Sequence, residues 1–395
     1  MDKIKELLTR GVEQIIPSKK ELEKILRSGK KLRVYQGFDP SSEKLHIGHL
    51  IGLRKLRQWQ DLGHEVIFLI GDFTGRIGDP TGKEETRPLL SKERVEKNAK
   101  TYKEQAGKIL RFKGQNPVIV KFNSEWLEKL SMQEVLNLAA QITYQQIIKR
   151  DLYQRRLEKD QDISINEILY PITQGYDSVV MDVDVEVGGR DQLFNMMIGR
   201  QLMHKMKRKN KFVMTTELLT DSQGIKIGKT EGNVIALTDP PEEMFGSIMN
   251  FPDDAIIKGL ECLTDTPQEE IESIKTTIAS GQNPLQSKKK LAYEVIKQLD
   301  GEEAAKRAQE DFERVFQKGQ LPKDFLEIKT TDKISASEVI ARIVGSKSEA
   351  KRLFQQGAIE IDDKTENNPK IKLKSGQIVK IGKKKFVRVK VQEVR

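Results

Sequence analysis

Tyr35-Gln36-Gly37-Phe38-Asp39-Pro40-Ser41-Ser42-Glu43-Lys44-Leu45-His46-Ile47-Gly48-His49 decides how the chain is read. The apolar run over residues 32–38 has strand character and ends in a polar turn, and a helical pattern follows over about 47–62. His46 and His49 are two of only four histidines, and one helical turn separates them, so they point the same way. Gly48 between them lets a bulky ligand lie against the backbone. A strand, a turn and the N–H groups of a helix start make an anion-binding corner. Two imidazoles beside it can donate hydrogen bonds to phosphate oxygens as charge builds in a transition state. His-x-x-His is also a metal half-site or a surface pair. Metal is the weaker reading here, because only His64, His204 and the single Cys262 remain to complete a site that normally takes four such ligands.

A chain of 395 residues predicts two or three domains, and a 37% hydrophobic content is enough for real cores. The formal charge is +10, and residues 331–395 hold +8 of it, with 16 Lys and Arg against 8 Asp and Glu. That distribution points to a polyanion partner for the last segment. One cysteine excludes an intramolecular disulfide framework and fits a reducing compartment. The start is strongly charged, and no apolar run approaches the ~20 residues that span a bilayer. The expectation is a soluble, cytoplasmic protein without a membrane partner.

Residues 1–31 read as helical, broken at Pro17-Ser18, with Ser18 and Glu21 as a capping box. Strand 66–70 is apolar throughout, as in a parallel sheet covered on both faces. A glycine-rich turn follows over 71–83, with Asp79 just beyond the strand, where open sheets bind ligands. A helix over 91–112 leads to a strand at 118–120. Residues 126–168 are helical and polar, interrupting the strand–helix alternation; Arg150, Arg155 and Arg156 there suit RNA or a solvated face equally. In the helix beginning at Ser164, Tyr170, Gln174 and Asp177 share one face, as a pocket for a polar aromatic ligand would require. A strand over 179–187 then reaches Gly188-Gly189, and Asp191 is placed to cap the next helix. That helix ends in the basic cluster 205–211, read as a solvated end. Residues 222–233 form a Gly/Lys loop whose mobile ammonium groups suit triphosphate chemistry. Helices near 242–249, 267–280 and 287–317 follow, then a linker over 319–331. Helices over 335–342 and 347–357 and strands at 359–361, 378–381 and 386–391 complete the chain, with Lys347, Lys351 and Arg352 on the open side of the second helix.

His46-Ile47-Gly48-His49 resembles the HIGH signature of class I aminoacyl-tRNA synthetases, and residues 35–50 are similar to bacterial tyrosyl-tRNA synthetases in particular. The likeness continues through Gly78-Asp79-Pro80-Thr81-Gly82-Lys83, Gln174-Gly175-Tyr176-Asp177, Gly188-Gly189-Arg190-Asp191-Gln192 and Lys226-Ile227-Gly228-Lys229-Thr230. The last motif departs from the general Lys-Met-Ser-Lys-Ser form at every position but the lysines. It is similar to the version that bacterial tyrosyl enzymes carry. The end of the chain resembles an S4-type RNA-binding domain.

The resemblance implies an α/β fold. A Rossmann-like parallel-sheet catalytic domain would cover 1–225, with a helical dimerisation insertion at about 125–165. The catalytic lysine loop and a helical domain would cover 226–318, and a small α+β S4-like domain 331–395. It implies activation of L-tyrosine by ATP and transfer to tRNA(Tyr) in a homodimer that takes RNA rather than DNA. Magnesium would accompany ATP, with no protein-built metal site. By the same resemblance His46 and His49 touch the phosphates, and Lys226, Lys229 and Thr230 close over the pyrophosphate. Tyr35 and Asp177 hold the substrate phenol. Tyr170, Gln174, Asp79 and Gln192 surround its amino group. Gly37, Asp39, Ser41, Gly48, Gly189 and Asp191 lie along the nucleotide, and Gln36 touches the ribose. Lys347, Lys351 and Arg352 meet RNA. The rivals are a tryptophanyl enzyme, a non-catalytic synthetase-like RNA-binding protein and a dinucleotide-binding enzyme. The last lacks its Gly-x-Gly-x-x-Gly after the first strand.

Overall fold

The computed structural model describes residues 2–81, 89–228, 234–317, 326–331, 334–362, 364–382 and 385–392. The chain divides into two units, Met1–Pro240 with Ser247–Ala305, and Pro241–Gly246 with Lys306–Arg395.

The first unit is built on β1 (Val12–Ile16), β2 (Arg33–Phe38), β3 (Glu65–Ile70), β4 (Ile119–Phe122), β5 (Val185–Gly189) and β6 (Phe212–Thr216), in the order β1-β6-β5-β2-β3-β4. β2 to β6 run parallel to one another, and β3 is buried from Val66 to Ile70 because strands and helices cover it on every side. The chain winds one way from β2 through β4 and the other way from β5 to β6. The switch lies between β2 and β5, whose carboxyl ends are Phe38 and Gly189.

β1 corrects the expectation of helix throughout 1–31, and it makes the sheet mixed rather than parallel. It pairs antiparallel with β6 as an edge strand. Gly11 turns the chain at φ +61°, and the tertiary partner overrides a weak local helical pattern. The helix expected over 91–112 is two short helices, Lys92–Ala99 and Tyr102–Ala106. The strand expected from 179 begins later: helix Ile165–Met181 runs on until Asp182 takes the left-handed conformation at φ 49°. A helix over Ile256–Leu263 was not anticipated. The long helix expected over 287–317 is divided at Gly301, φ 91°, into Leu285–Asp300 and Glu302–Phe312, followed by a π turn over Glu313–Gln317.

Helices Ile165–Met181 and Leu193–Lys207 pack closely. A Cβ on Gly175 would stand 3.0 Å from the Gly199 nitrogen, so only glycine permits this approach. The insertion adds Met132–Ala139, Tyr144–Ile148 and Asp151–Glu158 to the same core through Leu138, Ile147 and Tyr153. Ser131 and Thr143 each begin a helix with a reciprocal capping box. Arg156, which the sequence suits to RNA or a solvated face, is instead buried against Glu167 at 2.7 Å.

The second unit carries β7 (Leu326–Thr331), β8 (Ile359–Ile361), β9 (Lys364–Thr365), β10 (Ile378–Ile381) and β11 (Lys385–Gln392), in the order β7-β11-β10-β8-β9. β7 falls in the stretch read as a linker and pairs parallel with β11. Helices Ala336–Val344 and Lys347–Gln355 lay Val339, Ile340 and Phe354 on Val379 and Val387 of the sheet. Gly345 and Gly357 end these helices at φ 74° and 64°. Among the described residues no helix is long and apolar enough to cross a membrane.

Candidate active site

At the carboxyl ends of β2 and β5 lies a cleft of about 1220 Å³. Every described candidate for catalysis or small-ligand binding lines it. Lys229 and Thr230 lie outside the described residues, as do Gly82 and Lys83. Lys347, Lys351 and Arg352 belong to the second unit, where all three are exposed and Arg352 bonds Glu349 at 2.7 Å.

β2 delivers the chain to a turn, and helix Ile47–Asp61 begins at His46. The His46 ring folds back so that Nδ1 accepts from the Gly48 N–H at 3.1 Å, while His49 Nδ1 accepts from the His46 N–H at 3.1 Å. The rings stack with centroids 3.8 Å apart. Each Nδ1 being an acceptor, each neutral ring carries its proton on Nε2. The two histidines therefore cap their own helix and retain a donor nitrogen. Gly48 also spares the His46 ring, since a Cβ there would lie 3.0 Å from it.

Asp39 is more than a turn residue. Its carboxylate accepts from Thr74 Oγ1 and from the Tyr170 hydroxyl, both at 2.7 Å. Burial, with the charge of Asp39 next, pushes the Tyr170 hydroxyl well above its usual range. Asp79 accepts from Gln192 Nε2 at 2.6 Å and from Thr81 Oγ1 at 2.6 Å. Asn195 Nδ2 bridges the amide oxygens of Gln174 and Gln192 at 3.0 and 3.1 Å.

Asp191 does not cap the following helix. Arg190–Gln192 is a 3-10 turn, helix Leu193–Lys207 starts without a side-chain cap bond, and Asp191 instead accepts from Lys226 Nζ at 2.6 Å. Gly189 makes room for it, since a Cβ there would meet the Asp191 carboxylate at 2.6 Å. Gly37 and Ser41 line the same wall as Asp39, and the Ser41 N–H bonds the Asp39 carbonyl at 2.7 Å. Gln36 packs against Gly52 of the histidine helix.

Tyr170, Gln174 and Asp177 do present one face of helix Ile165–Met181 to the cleft. Asp177 is buried and accepts from Trp126 Nε1 at 2.8 Å and Asn123 Nδ2 at 3.2 Å. Burial drives its carboxyl well above the ordinary range, against the pull of those two donors. The Tyr35 hydroxyl lies 2.8 Å from Ser178 Oγ, and burial, then the charges of Glu186 and Asp177, hold its proton on.

Asn123, Trp126, Ser178, Glu186, Asn195 and Lys211 were missed in the sequence. An acid inside Val185-Glu186-Val187 is the one available signal, because a carboxylate in an apolar strand needs a partner. Lys211 was read as part of a solvated basic end. It is fully buried and paired with Glu186, which corrects that reading.

A doubly wound sheet with a polar cleft at its switch point defines an α/β protein that binds its ligands outside the carboxyl ends of the strands. Residues 27–317 match the family described as tRNA synthetases class I (W and Y). The chain is 42% identical to the tyrosine–tRNA ligase of Thermotoga maritima over 98% of both chains, and 43% identical to that of Colwellia psychrerythraea over 97% of both. It shares its fold with a C-terminally truncated Aspergillus nidulans mitochondrial tyrosyl-tRNA synthetase (TM-score 0.65, 24% identity, 80% of this chain and 94% of that one). It shares it also with the Archaeoglobus fulgidus tyrosyl-tRNA synthetase complexed with L-tyrosine (TM-score 0.60, 23% identity, 78% and 99%). The chain belongs to the class I tRNA synthetases of the tryptophanyl and tyrosyl group.

Proposed function

We infer that the chain is a tyrosine–tRNA ligase. It joins L-tyrosine to ATP, releasing pyrophosphate, and passes the tyrosyl group to the 3′ end of tRNA(Tyr). What supports tyrosine over tryptophan is the presence, in the cleft that holds the histidines, of a Tyr35 hydroxyl and an Asp177 carboxylate. A phenol needs both a donor and an acceptor, whereas an indole N–H needs only an acceptor.

The tyrosine carboxylate attacks the α-phosphate of ATP and pyrophosphate leaves. A ribose hydroxyl of the tRNA terminus then attacks the activated carbonyl and AMP leaves. The protein supplies no nucleophile; it positions the reactants and stabilises charge. His46 and His49 donate through Nε2 to phosphate oxygens. Asp79 is the carboxylate for the substrate ammonium, with Gln192 bonded to it and Tyr170 and Gln174 beside it, while Asp39, which accepts from Tyr170, lies toward the nucleotide. Asp191 accepts from the nucleotide ribose, with Gly37, Ser41, Gly48 and Gly189 along the nucleotide. Lys226, Lys229 and Thr230 close over the pyrophosphate, the two lysines offsetting its charge and the threonine donating a hydrogen bond. Among the described residues no group of three or more metal-ligating side chains stands together. Magnesium enters with the triphosphate as its counter-ion.

Residues 331–395 are an S4-type RNA-binding domain that grips folded tRNA through phosphate contacts from Lys347, Lys351 and Arg352. Met132 and Leu136, one turn apart on helix Met132–Ala139 and 75% and 57% exposed, give the helical insertion an apolar outer stripe suited to a second copy of the chain. Charging of tRNA with labelled amino acids tests the function: tyrosine is incorporated, and incorporation of tryptophan instead contradicts it.

A further inference from the structure

Behind the wall of the cleft lies a buried ion pair that the reaction steps leave unused. Lys211, just before β6, has no exposed surface, and its ammonium donates to the Glu186 carboxylate of β5 and to Ser178 Oγ at 2.8 Å. The Tyr35 hydroxyl is 2.8 Å from the same serine oxygen. Glu186 Oε2 stands 3.4 Å from that oxygen, and its Oε1 receives Gln174 Nε2 at 3.4 Å. The packing makes room for the ammonium, since a Cβ on Gly199 would lie 2.6 Å from Lys211 Nζ. A helix end, two strands and the approach to β6 thus converge on one phenol.

We propose that Lys211, Ser178 and Glu186 are positioning residues that aim the Tyr35 proton at the substrate phenol, and so set the discrimination of tyrosine from phenylalanine. The inference rests on the tyrosine–tRNA ligase reading. An ammonium only donates, so Lys211 occupies a lone pair of Ser178. The serine has one proton to give and two acceptors in reach, Tyr35 at 2.8 Å and Glu186 at 3.4 Å. The shorter bond takes it, while Glu186 is satisfied by Lys211. Tyr35 then accepts from Ser178 and turns its own proton toward the cleft. Asp177, anchored by Trp126 and Asn123, keeps lone pairs for the ligand's proton. The bound hydroxyl meets one donor and one acceptor, and phenylalanine leaves both unsatisfied. Without Lys211, Ser178 accepts from Tyr35 instead, and the pocket loses its donor.

ATP–pyrophosphate exchange with tyrosine and with phenylalanine tests this in the wild type, Ser178→Ala and Lys211→Met/Glu186→Gln. The double variant stays close to the native side-chain volumes while removing both buried charges together. Ser178→Ala keeps the ion pair and serves should the double variant not fold. The ratio of kcat/KM for tyrosine over phenylalanine is expected to fall about tenfold in the double variant, the worth of one hydrogen bond, and by a smaller factor in Ser178→Ala, where Tyr35 keeps its proton but loses the serine that aims it. The fall comes through KM for tyrosine, with KM for ATP unchanged. Equal losses toward both amino acids, or an unchanged ratio, overturn the proposal and leave a merely structural pair. Absence of tyrosine exchange in the wild type overturns the underlying reading and takes this inference with it.

Discussion

Lys226 Nζ lies 2.6 Å from Asp191 Oδ2, tying the lysine loop to the turn that follows β5. The same carboxylate is assigned to the nucleotide ribose, so loop and nucleotide meet at one residue. Asp191→Ala is expected to raise KM for ATP by about tenfold or more, the scale of a hydrogen bond to a charged group. KM for tyrosine should move far less. Exchange kinetics with each substrate varied in turn give the two values.

His46 is both helix cap and proposed phosphate donor. Asparagine caps helices as well as any residue, so His46→Asn separates these duties. Its melting temperature should stay near that of the wild type. Its kcat for exchange should fall about a hundredfold, as when a transition-state donor is removed. A kcat near the wild-type value would leave His46 a cap alone.

Asp177→Asn should weaken tyrosine recognition more than ATP use. Its carboxylate is held by Trp126 and Asn123 on the helix face it shares with Tyr170 and Gln174. Isothermal titration with tyrosine and with ATP compares the losses, and equal loss would remove the assigned role.

Lys55 supplies the pH test. Its ammonium is buried, donates to Leu7 O, Arg10 O and Gln58 Oε1, and is pulled down by burial to about 7. An unfolded lysine titrates near 10.5. Between these values the unfolded chain binds a proton that the folded chain has released, so folded stability rises with pH across that window. Lys55→Met removes this slope. Melting temperatures from pH 7 to 10 should therefore shift steadily in favour of the wild type relative to the variant.

Removal of residues 318–395 should spare exchange and cripple tRNA charging. The cut is placed before β7, because β7 pairs with β11 and a cut at 331 would strand it. Loss of exchange in a folded truncation would contradict this division of labour.

The histidine junction is legible because a strand period gives way to a helical one within it, and because Gly48 and both imidazoles sit in a few consecutive residues. Tyr170, Gln174 and Asp177 are legible through their helical spacing. Non-local partners leave no such trace. β1 finds β6 two hundred residues later, and β7 finds β11 across the second unit. Lys211 is hidden by company: five basic residues within 205–211 read as a solvated end, although one of them turns inward to Glu186. Asp191 passes for a cap because Asp at a helix start is ordinary, and only the folded loop brings Lys226 to it.

The most direct measurement is ATP–pyrophosphate exchange by the purified chain with each of the twenty amino acids. Exchange with tyrosine alone is the predicted result. Exchange with tryptophan would contradict the assignment of Tyr35 and Asp177, and a folded protein that binds ATP yet exchanges with no amino acid would contradict the catalytic account as a whole.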